Sequence, residues 1–144
     1  TYRLALDDPD VADLVDRHRQ LWDAADELSD REFMLRFVRS MGGDPEALSP
    51  QLLDVWERRA APMRRGRPSW EAEIPVEALA DADAPILVAS GDHHPAFEAV
   101  CDRLADAVGA CRVAIAGMGH EVQRTGEPFN EALLTLWRST GRSA

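Results

Sequence analysis

The residues best placed for chemistry are histidines that follow apolar runs. His120 ends Val113-Ala114-Ile115-Ala116-Gly117-Met118-Gly119-His120, and His93-His94 comes just after Pro85-Ile86-Leu87-Val88-Ala89-Ser90-Gly91-Asp92. Each run reads as a buried strand stopped at glycine. Glycine lets a chain turn sharply, and the C-terminal ends of parallel strands are where ligands gather in open α/β sheets. From there His120 can reach a nucleophile on a neighbouring strand; the plainer alternative is a histidine that merely ends a loop. His93-His94 could bind a metal, but no carboxylate or cysteine partner has suitable spacing, so a solvated loop is expected. His18 falls on the apolar side of a helical pattern and reads as a core histidine.

The elements that must position these groups follow from periodicity. Tyr2-Arg3-Leu4-Ala5-Leu6 is a short strand candidate, ended by Asp7-Asp8-Pro9. Asp8 then caps a helix with proline at its first position, along which Val11, Leu14, Val15, His18, Trp22 and Ala25 recur at helical spacing. Ser29-x-x-Glu32 is a capping box that opens a second helix, striped by Phe33, Met34, Phe37, Val38 and Met41 and stopped at Gly42-Gly43. Ser49-Pro50 opens a third, burying Leu52, Leu53 and Trp56. Residues 61–75, with Pro62, Gly66, Pro68 and Pro75, read as a linker. Beyond it, residues 85–90 form a strand buried on both faces. A helix bearing Phe97, Val100, Cys101, Leu104, Ala105 and Val108 leads to a strand over 112–116. A last helix from about Pro128 turns Phe129, Ala132, Leu133, Leu136 and Trp137 inward. Strand, helix, strand, helix at this spacing predicts a right-handed parallel unit.

In this order the chain resembles the C-terminal half of an α/β-hydrolase. Residues 85–91 match the family's seventh strand, residues 113–120 its eighth strand with the histidine, and Glu127-Pro128-Phe129-Asn130 the opening of its closing helix. The resemblance implies an α/β fold with about three parallel strands, flanking helices and an all-helical cap. Residues 1–7 would be the sixth strand, 80–144 the rest of the core, and 8–79 the cap with its linker. It implies that His120 is the general base of a serine hydrolase acting on an ester, thioester or lipid-like acyl substrate. The family's Gly-x-Ser-x-Gly nucleophile is absent, and Ser90-Gly91 imitates it poorly. The usual acid position holds His94. Some relatives, haloalkane dehalogenases among them, take the acid from the end of the sixth strand, which here is Asp7; Asp92 is the other candidate.

Composition narrows the rest. A net charge of −10 repels nucleic-acid backbone, and no apolar run is long enough to span a membrane. All 16 basic residues are arginine; Arg58, Arg59, Arg64, Arg65 and Arg67 form a basic stretch that reads as a solvated loop. Cys101 and Cys111 read as reduced core thiols, which implies a cytoplasmic protein with no disulfide and no metal. No cofactor is expected. A start at Thr1 rather than Met points to a processed or truncated chain, with the nucleophile and the upstream N-terminal half of the same protein preceding it. An unpaired strand over residues 2–6 would then recruit another chain, making a homo-oligomer possible. Two other readings compete with the enzyme: a noncatalytic relative that binds a small apolar ligand under its cap, and a helical interaction module.

Overall fold

The computed structural model describes residues 2–141, which divide into two compact units, Thr1–Ala72 and Glu73–Ala144. The first unit is entirely helical: α1 (Pro9–Asp23), α2 (Asp30–Ser40) and α3 (Pro50–Arg65), joined by short 3₁₀ turns. Local chemistry starts each helix. Asp8 accepts from the amides of Asp10 and Val11, Ser29 Oγ from Glu32, and Ser49 Oγ from Leu52, while Pro9 and Pro50 occupy first-turn positions. Leu14, Val15, His18, Phe33 and Ala60 are almost wholly buried. Trp22, Leu28, Phe37, Trp56 and Met63 pack around the cluster of Leu21, Ala25, Phe33, Met34 and Ala60.

The second unit contains α4 (Val76–Ala80), β1 (Leu87–Ser90), α5 (Pro95–Val108), β2 (Cys111–Ala114) and α6 (Glu127–Thr140). β1 and β2 are parallel and in register from Leu87 opposite Cys111 to Ser90 opposite Ala114. α5 connects them and packs on both strands, burying Ala96, Phe97, Val100, Ala105 and Val108.

The expected α/β fold of about three strands is therefore corrected: the described residues are 65% helical and form a sheet of two strands. Residues Tyr2–Ala5 form a 3₁₀ turn instead of a sixth strand. The burial pattern explains why. Tyr2 and Ala5 are buried while Leu6 is 41% exposed, so the inward positions lie three apart, the period of a 3₁₀ helix rather than a strand. The strand edge expected at residues 2–6 disappears with it. β2 is also not buried on both faces, since Cys111 and Ala114 are exposed. Nor is residue 61 the start of a linker. α3 continues through Pro62 to Arg65, which the surrounding turn tolerates despite the missing amide.

Two further expectations change. The face of α6 named as inward is only partly covered. None of the described α6 side chains is buried, Trp137 is 58% exposed, and the helix packs chiefly on the 3₁₀ turn Val122–Thr125. Arg64 does not sit in a solvated loop. It donates to the carbonyls of Ala25 (2.8 Å) and Leu28 (3.2 Å), lies 4.7 Å over the Phe33 ring and forms an ion pair with Asp30. The α1–α2 connection exposes carbonyls that only a long donor can reach, and Arg64 supplies it. Among the described residues no helix is long and apolar enough to cross a membrane.

Candidate active site

Two loops leave the C-terminal ends of β1 and β2 side by side. Their contact is so close that a Cβ built on Gly91 would stand 1.8 Å from the Gly119 carbonyl oxygen. Only glycine fits at residue 91, and Gly119, at φ +53°, occupies the left-handed region that glycine enters without cost. The gap left by the missing side chains is taken by His93. Its ring packs against Gly91 and Gly119, stacks on Phe97 (5.2 Å between centroids, 22° between planes) and meets His120 edge-on at 5.9 Å. Phe97 in turn lies 5.0 Å from the His120 ring. Two imidazoles thus share one buried phenyl ring at the mouth of the parallel pair.

Both imidazoles are held below the ordinary histidine pKa. For His120 the cause is desolvation against its ring neighbours, opposed by nearby Glu121. For His93 it is burial first and then the like charge of His120, with Glu98 pulling the other way. Burial thus favours the neutral form of each ring, which accepts a proton at one nitrogen and donates from the other. His120 makes ring contacts only, with no hydrogen-bonded carboxylate among the described residues.

The loop carrying His93 is pinned by Glu98, one turn into α5. Its carboxylate accepts from Ser90 Oγ (2.5 Å), from the Asp92 amide (3.1 Å) and from Arg112 of β2 (2.5 Å). Arg112 also donates to Asp102 at 2.7 Å. Glu98 and Arg112 are each about four-fifths buried, where a charge-assisted network fixes geometry more firmly than surface pairs do.

The residues singled out from sequence fall into distinct places. His120 lies in the turn after β2, six residues beyond Ala114, beside the rings of His93 and Phe97. Ser90 is 5% exposed with its hydroxyl committed to Glu98, which agrees with its rejection as nucleophile. His94 caps α5: its Nδ1 accepts from the Ala96 amide at 3.2 Å. Asp92 is exposed at φ +49° and makes no hydrogen bond to His120. Asp7 belongs to the helical unit, in the turn after the 3₁₀ helix Tyr2–Ala5 rather than at the end of a strand. His18 is a core residue whose Nε2 is 2.8 Å from Ser40 Oγ, among the rings of Tyr2, Trp22, Phe37 and Trp70. Among the described residues no group of three or more His, Cys, Asp or Glu side chains is arranged to hold a metal ion.

Sequence reasoning missed the roles of His93, Phe97, Glu98 and Arg112. Arg112 was the available signal, since a lone arginine at the start of an apolar strand needs buried acceptors. No family model, curated protein or solved structure matches the chain.

Proposed function

We propose that this chain supplies the general base of an acyl-transfer reaction of the serine-hydrolase type, with His120 as that base. The nucleophile would come from polypeptide outside residues 1–144. One feature supports the reading above the others: His120 sits in the turn after a parallel strand, in surroundings that disfavour its charged form, with no hydrogen-bonded carboxylate among the described residues. Such a group can take the proton of an attacking hydroxyl and return it to the leaving oxygen or sulfur of an ester or thioester. The apolar surroundings of Phe97 suit an uncharged acyl substrate.

The experiment is hydrolysis of p-nitrophenyl butyrate by the native-length gene product and by residues 1–144 alone. The native-length protein turns the ester over, and His120→Ala lowers kcat/KM roughly a thousandfold, within the range for loss of a general base. Residues 1–144 alone leave the ester intact. Turnover that survives His120→Ala removes His120 from the mechanism.

A second reading is a noncatalytic protein that binds a small apolar ligand. The engaged Ser90 hydroxyl and the lack of a carboxylate on His120 favour it. Binding of the ester by the native-length protein without any turnover would select it.

A further inference from the structure

Both ring nitrogens of His93 are shielded from solvent, and neither has a hydrogen-bond partner among the described residues. Buried polar atoms are almost always paired, and a residue carrying two orphans costs stability that a phenyl ring of similar shape would not. Yet the surroundings are built around this ring. Gly91 and Gly119 leave room for it, Phe97 stacks on it, and Glu98 fixes the backbone that presents it. The carboxylates nearby do not satisfy it. Glu98 is taken up by Ser90, Asp92 and Arg112, and Glu121 pairs with Arg124.

We propose that His93 is a ligand-binding residue of the His120 site, hydrogen-bonding an uncharged oxygen such as an ester carbonyl. The class of ligand follows from the setting. Two adjacent imidazoles, one phenyl ring and a chain of net charge −10 offer nothing to an anion. Too few ligating groups converge to bind a metal. A neutral imidazole donates from one nitrogen to a carbonyl oxygen and leaves the other able to accept. This assignment rests on the strand ends being the functional site, but does not depend on turnover.

The test is ¹⁵N NMR of the histidine rings in the full chain at pH 7, titrated with methyl butyrate and separately with sodium butyrate. Methyl butyrate should move the His93 ring nitrogens saturably, and butyrate should not. In His93→Phe, affinity for methyl butyrate read at the His120 ring falls about tenfold, the worth of one hydrogen bond. The melting temperature stays level or rises, because two orphan polar atoms are gone. His93→Asn, which keeps a donor and an acceptor, recovers part of the affinity. The proposal is overturned if neither ring responds to methyl butyrate, if butyrate acts equally, or if affinity is unchanged in His93→Phe. A lower melting temperature in His93→Phe with binding retained would make His93 structural. Ester turnover insensitive to His120→Ala would remove the proposed base and leave the His93 assignment intact.

Discussion

The two units of the chain bury their apolar surface to different degrees. In the helical unit α1 and α2 are well covered, with Leu14, Val15 and Phe33 all below 2% exposed, and its most exposed large apolar side chain is Leu6 at 41%. In the strand unit α5 and β1 are well covered, but Leu134 and Trp137 of α6 are 42% and 58% exposed and β2 shows Cys111 and Ala114 to solvent. A parallel pair normally lies beneath helices on both faces. The contrast teaches that the helical unit owes its order to its own core. The strand unit instead buries chiefly α5 against the strand pair and leaves apolar side chains of α6 uncovered.

The largest expected effect breaks the helical side of this contrast. Phe33→Ala removes a ring that contacts Trp22 and carries Arg64 on its face. It should cost about 3–5 kcal/mol in chemical denaturation followed by the far-ultraviolet helix signal. A loss below 1 kcal/mol would mean that the helical core is loosely packed.

Next comes the junction of the two strand-end loops. Gly91→Ala forces a methyl group into the Gly119 carbonyl, and the loops must separate. We expect a loss of about 1–3 kcal/mol, with chemical-shift changes confined to residues near Gly119, His93 and His120. A silent substitution would show that the loops are not in contact. The smallest effect sharpens the other side of the comparison. Trp137→Ala should change stability by less than about 0.5 kcal/mol, because its side chain is mostly in solvent; a larger loss would mean that α6 is covered.

What was legible in the sequence was whatever is decided locally. Asp8, Ser29 and Ser49 mark helix starts because a cap is made by one side chain and the amides two or three residues on. The strand pair was legible because parallel strands read as short apolar runs that end near glycine. Tyr2–Leu6 was misread because five residues alternate and repeat at three almost equally well, and only packing decides between them. His94 drew attention as a displaced acid, whereas its place just before Pro95 already marks a helix cap. Glu98 carries no signal of its role in the sequence, and His93 stands out there only as half of a histidine pair. Their roles depend on Arg112, Gly119 and His120, between 14 and 27 residues away in the chain.

The fold places His120, with His93 beside it, in surroundings that disfavour a charged imidazole. The direct measurement is the pH titration of each histidine ring by NMR in the full chain. Both folded-state pKa values are lowered by burial, so the folded state binds fewer protons than the unfolded chain. The stability these rings contribute is complete above the unfolded value of about 6.5. It is lost as pH falls from there through the lower folded values. The account predicts that His93 and His120 both titrate below about 6.5, and that neither bears a proton on both nitrogens at pH 7. A His120 ring that titrates above that value, as one paired with a carboxylate would, contradicts it.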